Sequence, residues 1–410
     1  MALIVQKFGG TSVGDADRIK AVAARVASTH KSGNQVVVVV SAMGDSTDRL
    51  ADLANEVSGG NHPREMDMLL TAGERISMAL LTMAIRDNGV EALSLTGSQA
   101  GILTDTSHGE AKIRDIRATR VSEALDLGRV VIVAGFQGVS PDTKEITTLG
   151  RGGSDATAVA MAGFLGADVC EIYTDVDGVF SADPHTVPNA RKLEEVSFEE
   201  MLELSAAGAG VLMMRSVEFA RRFNVPLHVR SSFHGGEGTW VKENTMEDAA
   251  VTGVAHNLTE VKLMVQDVPD NPGVASALFE PLSEAGVDVD MIVQNTSHGG
   301  RTDISFTVSR TDSDRALALA EEAAAVLGAG GVTLDDTIAK VSVVGAGMRT
   351  HPGIAARMFT VLADAGINIA MISTSPIRVS CVIDSAVAEL AVQLLHDAFE
   401  PPFDPREEPS

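Results

Sequence analysis

Apolar segments alternate with helical patterns over the first 245 residues. Short runs rich in β-branched residues occupy positions 3–6, 36–40, 130–134 and 169–173. Such uninterrupted runs are typical of parallel strands that are covered on both faces. After the first run, apolar residues recur at helical spacing behind Asp15, which can cap a helix. We therefore predict an α/β domain at residues 1–245, with an open, mostly parallel sheet between helices and ligands at the carboxyl ends of strands.

The remaining sequence contains an internal repeat. Segments 272–292 and 352–372 align without gaps, and nine of their 21 positions are identical. Each copy predicts a Pro-Gly turn, an amphipathic helix ended by Ala-Gly, and a strand. The two copies could pack together only for stability, or they could sense small ligands whose carboxylate binds the helix N-terminus. We place the two repeat domains at 250–340 and 341–405.

Composition narrows the class of protein. The 32 basic and 56 acidic residues leave a net charge of −24, which disfavours nucleic-acid and anionic membrane surfaces. Two cysteines without zinc-site spacing favour a reducing compartment, and the first ten residues do not resemble a signal peptide, so we expect a cytoplasmic protein. No arrangement of serine, histidine or cysteine favours nucleophilic catalysis, and no metal-ligating residues are predicted.

Two glycine-rich loops are candidates for phosphate chemistry. Lys7 lies at the end of the first strand, before Phe8, Gly9 and Gly10. An ammonium beside bare backbone N–H groups can surround a phosphate, although a surface lysine before a tight turn gives the same pattern. The second loop, 150–155, reads GRGGSD. In it Arg151 suits a carboxylate, Ser154 offers a hydroxyl, and Asp155 either holds a lysine or caps the helix.

Three further segments carry weaker signals. Glu74 in MDMLLTAGER could bind an ammonium or be solvated. Ser41 and Thr47 lie in SAMGDST, which follows the second strand. The segment 173–184, YTDVDGVFSADP, looks like a nucleotide loop, although its Asp-Gly and Asp-Pro pairs also form ordinary turns.

Taken in order, these motifs resemble the aspartate kinases of the amino-acid kinase family. The matching segments are KFGGTSV, SAMGDSTD, MDMLLTAGER, FQGV, TLGRGGSDATA, YTDVDGVFSADP and VRSS. The C-terminal repeat matches a pair of ACT domains, which implies two ferredoxin-like βαββαβ folds. Most similar is the monofunctional type regulated by lysine and threonine. The implied reaction transfers the γ-phosphoryl group of ATP, with Mg²⁺, to the β-carboxylate of L-aspartate and gives 4-phospho-L-aspartate. This would be the first step toward lysine, threonine, methionine and diaminopimelate.

The resemblance also implies roles for individual residues. Lys7 would contact the transferring phosphoryl group and Asp155 would orient it, with Glu74 completing the catalytic set. Aspartate would be bound by Ser41, Thr47, Glu74, Arg151 and Ser154. ATP would be bound by Lys7, Phe8, Gly9, Gly10, Tyr173, Thr174, Asp175, Asp177, Gly178 and Asp183. Threonine, with lysine as a second effector, would be bound by Asp270, Gly273, Ala275, Asp290, Gln294, Asn368 and Ile369.

The resemblance implies a homodimer, or a heterotetramer with a regulatory subunit that begins at Met246. Three positions depart from the usual pattern: Gly210 replaces a frequent lysine, His185 a frequent arginine and Pro376 a frequent glutamate. A proline cannot grip a lysine effector, so we expect threonine to inhibit more strongly. The alternatives are a kinase for glutamate or N-acetylglutamate, and a non-catalytic amino-acid sensor.

Overall fold

The computed structural model describes residues 1–243, 250–294 and 299–400; Met246 lies outside them. The strands are β1 Leu3–Phe8, β2 Gln35–Val40, β3 Ala92–Leu95, β4 Ile102–Thr104, β5 Ile113–Ile116, β6 Val130–Ala134, β7 Gln137–Val139, β8 Ile146–Thr148, β9 Val169–Thr174, β10 Glu195–Ser197, β11 Leu227–Ser231, β12 Thr239–Lys242, β13 Gly253–Asn257, β14 Glu260–Pro269, β15 Val289–Gln294, β16 Arg301–Ser309, β17 Gly331–Asp335, β18 Ile338–Val344, β19 Met371–Ser375 and β20 Arg378–Asp384. The helices are α1 Ala16–Lys31, α2 Ser46–Val57, α3 Pro63–Leu70, α4 Ala72–Asp87, α5 Thr119–Asp126, α6 Gly153–Leu165, α7 Phe198–Ala206, α8 Met214–Phe223, α9 Val274–Glu284, α10 Ser313–Leu327, α11 Ile354–Asp364 and α12 Ala388–Phe399.

The chain forms two compact units. Unit 1 comprises Met1–Phe180, Lys192–Ala206 and the described part of Gly210–Met246. Unit 2 comprises Ser181–Arg191, Ala207–Ala209 and the described part of Glu247–Ser410. Each unit has its own hydrophobic core, and the chain passes from one unit to the other several times.

Unit 1 is built on an eight-stranded sheet in the order β10-β12-β11-β9-β1-β2-β6-β3. The sheet is parallel except where β11 meets β12. All five valines of the run 36–40 are fully buried, as expected for a central strand between two helical layers. The predicted open, mostly parallel α/β sheet is confirmed.

One helical segment of the described residues, Pro63–Asp87, is long and apolar enough to cross a membrane by length and composition. It comprises α3 and α4, which meet at Thr71. Leu81 and Ile85 of α4 are fully buried and pack with residues of α1 and β2. One face of α4 therefore lies in the core of unit 1, while Ile76 and Met83 on the same helix are exposed.

The first sheet of unit 2 has the order β15-β16-β14-β17 and is antiparallel throughout. Helices α9 and α10 cover it, and their apolar residues share its core. Along the chain these elements read βαββαβ over residues 260–335, which is the predicted ferredoxin-like pattern.

The second sheet of unit 2 departs from the prediction in one strand. Its order is β13-β18-β20-β19, and β13 pairs antiparallel with β18 along its whole length. Residues 253–257 therefore belong to the second sheet, although we placed them in the first domain at 250–340. The second sheet obtains its fourth strand from before the first repeat, so the chain after α12 does not have to supply one.

The segment Ser181–Arg191 is a part of unit 2 although its sequence neighbours belong to unit 1. The Ser181 hydroxyl lies 2.9 Å from His396 Nε2 on α12, and Gln393 donates to the carbonyl of Thr186 at 2.8 Å. Ala182 and Val187 are buried in the same core as α11 and α12. Part of the chain between β9 and β10 is thus anchored in unit 2.

Candidate active site

The carboxyl ends of β1 and β2 border a cleft in unit 1 of about 840 Å³. Segments that are far apart in sequence meet there, because parallel strands end at the same edge of the sheet. The predicted residues that line the cleft are Lys7, Gly9, Gly10, Ser41, Thr47, Glu74, Arg151, Ser154 and Asp155. Gly210 also lines it, and a side chain added there would meet open space.

Lys7 and Asp155 form a buried ion pair at the floor of the cleft. Lys7 is the fifth residue of β1, and Asp155 is in the first turn of α6. Lys7 Nζ lies 2.6 Å from Asp155 Oδ1, and each residue is 9% exposed. Asp155 does not cap α6, whose N-cap is Gly152 without a side-chain hydrogen bond. Of the two roles open from the sequence, holding a lysine is therefore the one that Asp155 performs.

Glu74 is a carboxylate with one unused oxygen. It lies in the first turn of α4 and is 3% exposed. Its Oε1 accepts from the Ala42 amide at 3.1 Å, whereas Oε2 is buried without a hydrogen-bond partner among the described residues. Burial raises the pKa of Glu74 to about 7, against the weaker opposing effect of backbone donors. A positive ligand would satisfy this oxygen and favour the ionised form.

Arg151 is exposed and forms no ion pair within the described residues. Its loop turns through two residues with positive φ, Gly150 at 74° and Gly152 at 69°. A Cβ on Gly152 would lie 2.1 Å from Met213 Cγ, so only glycine fits there. The loop leaves a guanidinium at the cleft that is available to a carboxylate.

Two of the predicted nucleotide residues have their side chains in the core. The rings of Phe8 and Tyr173 stack with centroids 4.7 Å apart, and both are buried. The guanidinium of Arg25 lies over the Tyr173 ring. Burial raises the pKa of the Tyr173 hydroxyl to about 12. Neither ring is available to a nucleotide, so only the backbone of these residues remains for the predicted role. The carbonyl of Tyr173 accepts from the amide of Gly9 at 3.3 Å.

The other predicted nucleotide residues are divided between the units. In unit 1, the Thr174 hydroxyl donates to exposed Asp175, Asp177 pairs with His234 at 2.6 Å, and Gly178 is buried. Asp183 belongs to unit 2, where it accepts from the backbone and the ring of His185. These bonds lower the pKa of Asp183 against the opposing effect of its burial.

The predicted effector residues of unit 2 fall into two groups. Asp270, Gly273 and Ala275 surround the start of α9, with Asp290 and Gln294 on β15; Asn368 and Ile369 precede β19. Within the described residues, no hydrogen bond or ion pair joins the two groups. Asp290 is partnered by Lys340, which is buried on β18 and also pairs with Glu260 at 2.5 Å.

Sequence reasoning missed several buried charged residues, and two of them adjoin the predicted site residues. Asp67, in the quoted motif MDMLL, is 1% exposed and lies at the cleft. Lys340 is a single cation within the otherwise uncharged strand IAKVSVV. An isolated charge within an apolar strand was the available signal for Lys340, because such a residue has to find buried partners. Asp67 gave no such signal, since its helix also carries Arg64 and Glu65.

Comparison with known proteins follows this division of the chain. The amino acid kinase family matches residues 2–231, and the ACT domain matches 261–323 and 341–399. An aspartokinase of Mycolicibacterium smegmatis is 58% identical over 97% of this chain and 96% of its own length. One of Pseudomonas aeruginosa is 52% identical over 98% of each chain.

A solved structure gives the corresponding result in three dimensions. E. coli aspartokinase III in complex with aspartate and ADP, in its R-state, is 25% identical and superposes with a TM-score of 0.84. It covers 97% of this chain and 100% of its own. This chain is therefore similar in fold to an aspartokinase whose structure contains aspartate and ADP.

Proposed function

Because this chain belongs to the aspartokinases, we propose that its cleft binds L-aspartate and ATP and transfers the γ-phosphoryl group to the β-carboxylate of aspartate. The product is 4-phospho-L-aspartate. The observation that carries this proposal is the meeting of three charged groups in one cleft: the buried Lys7–Asp155 pair, the half-satisfied carboxylate of Glu74, and the free guanidinium of Arg151.

Each charge suits one part of the proposed substrate. The free oxygen of Glu74 accepts a hydrogen bond from the aspartate ammonium, and Arg151 binds the α-carboxylate of aspartate. The β-carboxylate then points toward Lys7. That carboxylate has an ordinary pKa of about 3.9 and is ionised at neutral pH, so it needs no general base. Lys7 neutralises charge as two anions approach, while Asp155 fixes its ammonium.

ATP approaches the same floor from the glycine loops. Gly9 and Gly10 bring backbone close to the phosphates, and the segment after β9 holds the rest of the nucleotide. Within the described residues, no group of three or more His, Cys, Asp or Glu could form a protein cage for a metal. This fits a Mg²⁺ ion held mainly by nucleotide phosphates and water, where it would reduce the phosphate charge.

A substrate panel tests the proposed acceptor. With ATP and Mg²⁺, we expect ADP formation with aspartate and far slower turnover with glutamate or N-acetyl-aspartate, which lacks an ammonium for Glu74. Faster turnover with glutamate or N-acetylglutamate would identify a different amino-acid kinase. Threonine binding without turnover of any acceptor would indicate a sensor that retains the fold.

We propose threonine as the stronger effector, bound at the ACT units, with lysine weaker or additive. Two observations support threonine. Pro376 lies exposed in the turn between β19 and β20, where it offers no anion to a lysine side chain. Lys340 already supplies a cation to Asp290, so lysine, with a second ammonium and a net charge of +1, meets more repulsion there than zwitterionic threonine does.

Inhibition assays with each amino acid alone and with both together test this ranking. Half-inhibition by threonine at a lower concentration than lysine is expected, and the reverse order would refute it. For E. coli aspartokinase III, a complex with lysine and aspartate is a T-state structure, so lysine is the necessary comparison.

We propose a homodimer, or a heterotetramer with a separate regulatory subunit, and a cytoplasmic role at the start of lysine, threonine and methionine synthesis. Light scattering coupled to size-exclusion chromatography, followed by mass spectrometry of the subunits, distinguishes the two assemblies. A single full-length subunit at twice the chain mass indicates the homodimer, and an additional chain starting at Met246 indicates the heterotetramer.

A further inference from the structure

Asp67 lies at the cleft, yet its charge does not face an open ligand position. It is on α3, and its side chain is 1% exposed. Oδ1 accepts from the Thr148 hydroxyl at 2.5 Å and from the Gly109 amide at 3.1 Å. Oδ2 accepts from His108 Nδ1 at 2.6 Å and from the same amide at 3.3 Å. Both oxygens are therefore occupied by protein donors.

These partners belong to two segments that adjoin residues 150–152, the arginine loop. Thr148 ends β8, two residues before Gly150 and three before Arg151. Ala111 donates to the carbonyl of Thr148 at 2.8 Å, which joins the segment after Gly109 to the end of β8. A Cβ on Gly150 would lie 3.2 Å from the Gly109 carbonyl oxygen. Asp67 thus binds the segment at Gly109 and the base of the arginine loop with one carboxylate.

A second side chain holds the backbone of the same two segments. Arg215 on α8 donates to the carbonyl of Leu149 at 3.0 Å and to that of Ala111 at 2.9 Å. The backbone before Arg151 is fixed, while its side chain is exposed and free. A guanidinium recognises a carboxylate through two parallel bonds, so a small shift of its base loses both.

We infer that Asp67 is a positioning residue that sets the place of Arg151 and thereby the affinity for aspartate. This inference rests on the proposed function, because it takes Arg151 as the group that binds a substrate carboxylate. Asp67 touches neither substrate. Its effect is expected in the KM for aspartate, with little change in kcat or in the KM for ATP.

Asp67→Asn tests this with minimal change of volume. The amide keeps one oxygen and has an NH2 group in place of the other, so some of the donors that bond to Asp67 lose their acceptor. We expect the KM for aspartate to rise about tenfold. Thr148→Val should also raise the KM for aspartate, whereas Thr148→Ser, which keeps the hydroxyl, should leave that KM close to normal. Asp115→Asn is the control, because Asp115 on β5 accepts from the Ile116 amide and pairs with Arg117 without bonding to β8.

A double-mutant cycle separates positioning from mere stability. If Asp67 acts through Arg151, Asp67→Asn should add little to the KM increase of Arg151→Ala. Additive effects, or an unchanged KM in both Asp67→Asn and Thr148→Val, would overturn the inference. If Asp67→Asn does not fold, the Thr148 pair decides. Failure of the proposed function looks different, since the unsubstituted enzyme would then not phosphorylate aspartate.

Discussion

At the scale of residues, the Lys7–Asp155 pair is the most specific arrangement in the cleft. Replacing Lys7 by methionine keeps most of the volume and removes the charge, and we expect kcat to fall by roughly 10²–10³ because the charge matters most in the transition state. Steady-state kinetics measure this. Lys31→Met is the control, because Lys31 is exposed and donates only to the carbonyl of Asn88. A kcat within threefold of normal would remove Lys7 from the mechanism.

Glu74 predicts a pH dependence with a definite sign. With its pKa raised to about 7, Glu74 gains a proton as the pH falls, and a neutral carboxyl no longer attracts the substrate ammonium. We expect kcat/KM for aspartate to fall below pH 7 and to level off above pH 8. Initial rates from pH 6 to pH 9 measure the profile.

Glu74→Gln provides the control for that profile. The variant should have a higher KM for aspartate and no fall assignable to this group. His62 also lines the cleft, but it is unchanged in the variant, so any dependence that it causes would persist. A wild-type profile that is flat between pH 6 and pH 8 would contradict the assignment.

Motif reading predicted which residues meet at the cleft better than how each one is used. Lys7, Glu74, Arg151 and Asp155 are together because strand ends and helix starts place them there. Phe8 and Tyr173 were predicted at the nucleotide site, but their rings stack in the core, and the choice between ring and backbone is not visible in a motif. Asp67 was overlooked because its four hydrogen bonds involve residues about 40 and 80 positions away.

At the scale of elements, α6 is capped at its two ends by glycines of left-handed conformation whose surroundings differ. Gly152 has φ 69° and no space for a Cβ, whereas Gly166 has φ 65° and nothing within 4 Å of that position. We expect Gly166→Ala to cost about 1 kcal/mol of stability and to leave kinetics unchanged. Gly152→Ala should cost more and also raise the KM for aspartate, because Arg151 precedes it directly.

Thermal unfolding and steady-state kinetics of the two alanine variants check this difference. Equal losses of stability with normal kinetics in both would show that the contact with Met213 does not restrain the arginine loop.

The ACT elements show what a repeat can and cannot predict. The alignment of 272–292 with 352–372 located two helices and two strands, α9 with β15 and α11 with β19, because both copies bury the same apolar face. It could not assign β13, since a strand before the first copy can pair with either sheet. Only the register of Gly253–Asn257 against β18 decides that choice.

At the scale of the whole molecule, the sequence predicted an α/β half and a duplicated half, and both are present. The excursion of Ser181–Arg191 into unit 2 was not predicted, because SADP reads as a simple turn. Its apolar residues carry the consequence. Ala182 is 5% and Val187 is 1% exposed, in a core that contains α12.

A chain truncated after Glu243 should therefore lose more than regulation. It retains Ala182 and Val187 without the core that buries them, and we expect aggregation and binding of a hydrophobic dye. Substituting both residues by serine should improve the solubility of the truncated chain and destabilise the full chain by about 2 kcal/mol or more. If the serine substitutions lowered the solubility of the truncated chain as well as the stability of the full chain, these two side chains would not be what makes the truncated form aggregate.

The position of residues 181–191 in unit 2 also limits recombination between genes of related enzymes. A single crossover near codon 246 would exchange most of unit 2 between two relatives. It would place the α12 of one relative against residues 181–191 of the other. A functional hybrid also needs the donor's residues 181–191, inserted into the middle of the recipient's kinase sequence. Simple exchange of C-terminal domains is therefore hindered in this family. We expect residues 181–191 to covary with residues 388–399 among related sequences.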